Sequence, residues 1–133
     1  MRTEDFVELQ KLVWLYTHII DDRCFSRAHE VFTEDAEYDF TAVGGEVVQG
    51  LPAILEFCRG KLGIEVLHLA SNIVADEQSD GTAIVRSRSL VSVRDGSISS
   101  VWYEDVARRT EQGWRLCRRR VSVRGADYAV SET

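Results

Sequence analysis

Three histidines occur in the chain, and only His68 lies inside an apolar run, Val66-Leu67-His68-Leu69-Ala70-Ser71-Asn72-Ile73. If that run is a strand, alternation places Val66, His68, Ala70 and Asn72 on one face. A histidine and an asparagine on a buried face need partners. His68 is then either a satisfied core group or a base, because an imidazole titrates near neutral pH. Asp21 follows Ile19-Ile20 at the end of a predicted helix. The negative end of the helix dipole there disfavours a carboxylate. Asp21 must therefore be exposed or held against a positive partner. Opposite a strand histidine, it would fix the imidazole tautomer and stabilise the imidazolium.

Other chemistries find less support. His29-Glu30 begins a zinc-protease motif, but Thr33 stands where the second histidine is required. Gly44-Gly45 through Gly50 lacks the dinucleotide-binding spacing, and no G-x-S-x-G elbow occurs. His18 and Asp22, four apart on a helix, read as an exposed ion pair in preference to a metal pair. Cys24, Cys58 and Cys117 are odd in number and far apart. They read as reduced thiols, partly or wholly in the core, with neither a disulfide framework nor a metal site expected.

The elements that must position these groups fall into a helical front and a stranded back. Thr3 is a plausible N-cap, and Phe6, Leu9, Val13, Tyr16 and Ile20 form one apolar stripe on a first helix. Ser26 starts a short second helix through Ala28, Val31 and Phe32. Ala36 to Phe40 alternates as a strand, Gly44-Gly45 turns it, and Glu46 to Gln49 returns. Pro52 suits the first turn of a third helix carrying Ile54, Leu55, Cys58 and Leu62, with Gly63 as its stop. Strands are expected over 65–75, 82–93, 97–109 and 114–124. They are separated by Asp80-Gly81, Asp95-Gly96 and Gln112-Gly113. Long strands in a meander twist and curl. The expectation is an α+β fold: three N-terminal helices on a curved, mainly antiparallel sheet forming a cone-shaped barrel.

At 133 residues the chain is read as one domain over 1–133, with 125–133 as a flexible tail. Its charge is uneven: 6 Lys+Arg face 16 Asp+Glu through Val85, and 10 face 6 from Arg86 onward. The basic half is no charge run, since its arginines are spread through strands. Alternation would also send Arg118, Arg119 and Arg120 to opposite faces. With a pI near 5.1, nucleic acid is not an expected partner. No apolar run approaches the ~20 residues of a membrane span. The N-terminal residues carry no apolar leader pattern, so a soluble cytoplasmic protein is expected.

Four segments together resemble a known family. They are Tyr16-x4-Asp21, Val31-Phe32-Thr33-Glu34-Asp35-Ala36-Glu37-Tyr38, His68-x-x-Ser71-Asn72-Ile73-Val74 and Gly113-Trp114-Arg115-Leu116-x-x-Arg119. They are similar, in order and spacing, to the SnoaL-like group of the nuclear transport factor 2-like superfamily. The nearest patterns are scytalone dehydratase, hexachlorocyclohexane dehydrochlorinase and bile-acid 7α-dehydratase. The resemblance implies His68 as general base and Asp21 as its orienter. Tyr16 would donate to a departing or enolising oxygen, and Arg119 would stabilise negative charge. Tyr38 would line the pocket. Trp102, equally a normal core aromatic, and Asn72 join Tyr38 as candidate substrate contacts. The acid or histidine that some dehydratases carry on the following strand has no counterpart, because Arg86 and Arg88 occupy that region.

The activity so implied is a cofactor-free lyase or isomerase acting on a small hydrophobic, cyclic metabolite. Two alternatives stay open. One is a non-catalytic ligand-binding or oligomer-forming module, such as the small subunit of a ring-hydroxylating oxygenase. The other is acid-only chemistry with Asp21 itself as base. A homodimer or homotrimer through the sheet is expected in either main case.

Overall fold

A first helix, α1 (Thr3–Asp21), lies across a six-stranded sheet and is pinned to it at both ends. The computed structural model describes residues 1–61 and 66–123, without the Lys61 side chain. The expected helix stop at Gly63 and the expected tail over 125–133 lie outside the described residues. After α1 come a 3-10 helix (Phe25–Glu30), β1 (Phe32–Asp39), β2 (Val47–Gln49) and α2 (Leu51–Lys61). The chain then forms β3 (Leu67–Glu77), β4 (Ala83–Ser92), β5 (Ile98–Thr110) and β6 (Gly113–Ser122). The strand order is β2-β1-β6-β5-β4-β3, antiparallel except where β1 runs parallel to β6. The expected α+β class, three helices on a mainly antiparallel sheet, is what the chain adopts. The sheet does not close into a barrel, and β2 and β3 are its edges.

Helix α1 buries Leu9, Leu12, Val13, Tyr16, Ile19 and Ile20, a stripe wider than the one read from the sequence. Thr3 is its first helical residue and not its cap; Arg2 holds the cap position without a side-chain bond. The helix ends in a Schellman arrangement. Arg23 sits at φ +56°, Cys24 N–H donates to the Ile19 carbonyl at 2.9 Å, and Arg23 N–H donates to that of Ile20 at 3.2 Å. This termination leaves Asp21 on the last turn, facing the start of β3.

At the other end, Asp5 accepts two hydrogen bonds from the Arg109 guanidinium, at 2.9 and 3.0 Å, and one from Trp114 Nε1 at 2.9 Å. Arg109 lies over the Trp114 ring and also reaches Glu77. Gly113 turns at φ +107°, a backbone conformation that side-chain-bearing residues rarely adopt, beside the tip of the Glu8 side chain. Midway, Trp14 Nε1 donates to the Ala70 carbonyl at 3.2 Å. Helix α2 packs Leu51, Ile54 and Cys58 into the core, while Phe57 meets Phe40, itself stacked on Tyr38.

Three irregularities interrupt the ladders. They fall between Phe32 and Glu37 on β1, between Ser71 and Val74 on β3, and at Cys117 on β6. The β3 and β6 bulges reverse which face later residues take, whereas on β1 Phe32, Ala36 and Tyr38 all stay on the core side. No helix among the described residues is long and apolar enough to cross a membrane.

The Asp5 contact carries a pH signature. Hydrogen bonds from Arg109, then Trp114, lower its pKa from 3.8 to about 2. A carboxyl depressed in the folded state adds stability above its unfolded pKa and loses it as pH falls through the folded value. Asp5→Asn should therefore lower the melting temperature at pH 5–7. The difference from wild type should shrink between about pH 4 and pH 2, which thermal denaturation across that range will measure.

Candidate active site

The end of α1 meets the edge strand β3 at a single carboxylate. Asp21 Oδ2 accepts the backbone N–H of His68 at 2.7 Å, and Oδ1 lies 2.6 Å from His68 Nδ1. Both side chains are largely enclosed, at 6% exposure for His68 and 11% for Asp21. The carboxylate requires the ring proton on Nδ1, so Nε2 carries the free lone pair. Nε2 has no hydrogen-bond partner among the described residues.

Beside the imidazole stands the buried Tyr16 ring, edge-on with centroids 6.4 Å apart. The Tyr16 and Tyr38 hydroxyls are hydrogen-bonded at 2.7 Å. Burial raises both phenols well above their ordinary pKa, so each remains a proton donor at neutral pH. A third phenol, Tyr103, packs edge-on against Tyr16 and is raised for the same reason. The Cys58 thiol is pushed by burial to about 12, which makes it packing and not a nucleophile.

Arg119 is wholly buried. Its guanidinium lies over the Tyr103 ring at 3.8 Å and the Tyr16 ring at 4.3 Å, and binds Asp105 through two bonds of 2.8 and 2.9 Å. Burial alone would lower the pKa of Arg119, but Asp105 holds it well above the ordinary value. Burial likewise raises the Asp105 carboxyl, opposed by Arg119. Each charge depends on the other. Nη1 of Arg119 is buried without a partner among the described residues.

A histidine held by a carboxylate is thus flanked by protonated phenols and a buried cation. The sequence matches a known family over most of its length: a SnoaL-like domain is recognised across residues 1–120. The chain belongs to the SnoaL-like family. An uncharacterised protein of Mycobacterium tuberculosis is 31% identical over 123 residues, covering 86% of this chain and 82% of that one. A nuclear transport factor 2-like protein with a cystatin-like fold from Novosphingobium aromaticivorans is 25% identical. It aligns with a TM-score of 0.78, over 96% of this chain and 85% of its own. Another protein of that organism, provisionally named a scytalone dehydratase, shares the fold at 23% identity. Its TM-score is 0.76, over 95% of this chain and 89% of its own. The SnoaL-like chain thus sits in the nuclear transport factor 2-like superfamily, as its motifs suggested.

Of the residues singled out from the sequence, Asp21, His68, Tyr16, Tyr38 and Arg119 come together between the helices and the sheet. Asn72 and Trp102 do not. The β3 bulge puts Asn72 at φ +55°, exposed, with Ser71 donating to its side chain, so the expected shared face with His68 is lost. Trp102 alternates with the buried Tyr103 and lies on the outer face, under the Arg88 guanidinium at 4.1 Å. Tyr103 and Asp105 were missed. A buried arginine on β6 demands a carboxylate on a neighbouring strand, and Asp105 shares the face of Tyr103, not of Trp102.

His18 and Asp22 form the exposed pair expected, at 3.9 Å. The thiols are free, with Cys58 buried and the other two half-buried. Arg86 and Arg88 alternate with Ser87 and Ser89, and it is the serines that face the interior.

Removing one member of a fully buried ion pair leaves the other uncompensated. Asp105→Ala should destabilise the fold by about 3–5 kcal/mol, measured as a shift in the urea unfolding midpoint.

Proposed function

We propose that the chain is a lyase or isomerase that removes a proton from carbon in a small hydrophobic, cyclic metabolite, without a metal or organic cofactor. The supporting observation is the 2.6 Å contact from Asp21 to His68 Nδ1, reinforced by the bond from the same carboxylate to the His68 backbone. Nε2 of the neutral imidazole takes the proton, and Asp21 offsets the charge the ring gains. Tyr16, held by Tyr38, donates to the oxygen that departs or enolises. Arg119 adds positive potential behind the phenols. A positioned base supplies about 10²–10⁴-fold. Elimination and isomerisation share this first step and differ in where the electron pair goes next. The site operates in the cytoplasm in this reading.

Both outcomes begin with exchange of a carbon-bound proton, so exchange is the step to measure. With 2-tetralone, a fused bicyclic ketone with acidic α-protons, the protein in D2O should accelerate deuterium incorporation followed by NMR. His68→Ala should abolish that acceleration while far-UV circular dichroism stays unchanged. Asp21→Asn should reduce it by about 10²–10⁴-fold, through loss of the Nδ1–H tautomer. Undiminished exchange in a folded His68→Ala protein would overturn the base assignment.

Proteins of this superfamily bind small hydrophobic ligands and often oligomerise. The outer sheet face here supports self-association. Leu67, Leu69, Leu90 and Ile98 are 64%, 73%, 52% and 68% exposed on three adjacent strands, and Leu69 pairs directly with Leu90. An apolar patch of that kind is unusual on a monomer. Light scattering should give a dimer or trimer mass, and Leu69→Arg should reduce it to that of one chain.

A further inference from the structure

The inward face of β4 reads Ala83, Val85, Ser87, Ser89, Val91, all buried. Ser87 and Ser89 are 3% and 1% exposed, and neither hydroxyl has a hydrogen-bond partner among the described residues. Buried hydroxyls are normally bonded, and valine at either position would fill the same row without a polar group. Both serines lie close to the proposed base. His68 is opposite Val91 and Ala70 is opposite Ser89. His68 and Ser89 are thus diagonal neighbours on one face, about 7–8 Å apart. The residue facing Ser89 is only a methyl group. Ser87 lies between Tyr103 on β5 and the β3 bulge, where Asn72 and Ile73 together oppose it.

We propose that Ser87 and Ser89 form an oxygen-binding subsite for a ligand carbonyl or hydroxyl next to the carbon that faces His68 Nε2. The proposal rests on the reading of the interior as a hydrophobic ligand site and does not depend on which reaction follows. The serines are suited to this role. The Tyr16 and Tyr38 hydroxyls spend one donor on each other, and two of the Arg119 nitrogens are committed to Asp105. A serine hydroxyl both donates and accepts, so the subsite takes a ketone, an enolate or an alcohol and rejects a pure hydrocarbon. Its ligand class is therefore a flat or fused-ring compound bearing one oxygen, in place of an unfunctionalised or halogenated ring.

Binding of 2-naphthol and of 2-methylnaphthalene, similar in shape but without the oxygen, tests this. Fluorescence titration of the wild-type protein should show 2-naphthol bound about tenfold more tightly. Ser87→Ala/Ser89→Ala should lose most of that preference, keeping only what the Tyr16 hydroxyl supplies. The same double variant should melt at or above the wild-type temperature, because it removes hydroxyls that have no partner among the described residues. His68→Ala should keep the preference for 2-naphthol. A preference undiminished in the double variant, a wild-type protein without one, or a double variant that melts several degrees lower would each overturn the subsite. Failure of both probes to bind would overturn the ligand-site reading together with it. Retention of proton exchange by His68→Ala, with the serine-dependent preference intact, would sink the base assignment alone.

Discussion

A carboxylate at the negative end of a helix is stable only if donors outweigh the dipole it faces. At Asp21 the donors are the backbone N–H and the ring N–H of one residue, His68. That requirement ties the last turn of α1 to the first residues of the edge strand β3. It fixes the imidazole tautomer by the same bond. With Asp5 clamped by Arg109 and Trp114 at the opposite end, α1 is held at two points across the sheet. The space between helix and sheet follows from this, as does the placing of Tyr16, which projects from the middle of the span toward Tyr38, Tyr103 and Arg119.

The uneven charge along the chain has a structural cause. Acidic residues of the front half meet basic residues of the back half across the fold: Asp5 with Arg109, Asp35 with Arg108, Asp39 with Arg118, and Asp76 with Arg86. The parallel pairing of β1 with β6 sets Glu37 opposite Arg118 and Asp39 opposite Arg120. What resembled the footprint of an anionic partner is largely internal matching between segments far apart in sequence. The two with exposed carboxylates, Asp35 with Arg108 and Asp76 with Arg86, contribute little stability singly.

The elements and their turns were legible because each had a local cause. Apolar spacing marked α1, and the glycines of Asp80-Gly81, Asp95-Gly96 and Gln112-Gly113 all adopt the positive φ that a hairpin turn demands. The dyad was legible because a lone strand histidine and a helix-end aspartate each needed a partner. What alternation could not supply was the position of the bulges. A period of two holds only while the ladder is regular, and one inserted residue exchanges the faces beyond it. At β3 this removed Asn72 from the His68 face. At β6 the unpaired Cys117 lets Leu116 and Arg119, three apart, both point inward. The choice between Trp102 and Tyr103 was of a different kind. It depends on which face the helices cover, information held by Asp105 and Arg119 jointly and by neither alone.

The interior divides along its length. Around Leu9, Val13, Val31, Phe32, Ala107, Trp114 and Leu116 it is apolar, and burial there at roughly 25 cal/mol per Å² supplies the stability of the domain. Toward the other end it holds a histidine–aspartate pair, three phenols, an arginine–aspartate pair and two serines without a hydrogen-bond partner among the described residues. Hydrophobic residues of similar volume could replace a buried ion pair without loss of stability, and buried hydroxyls without partners are destabilising outright. Packing alone does not account for that concentration of polar groups. The ligand site proposed above would account for it, with the apolar end offsetting the instability of the polar one.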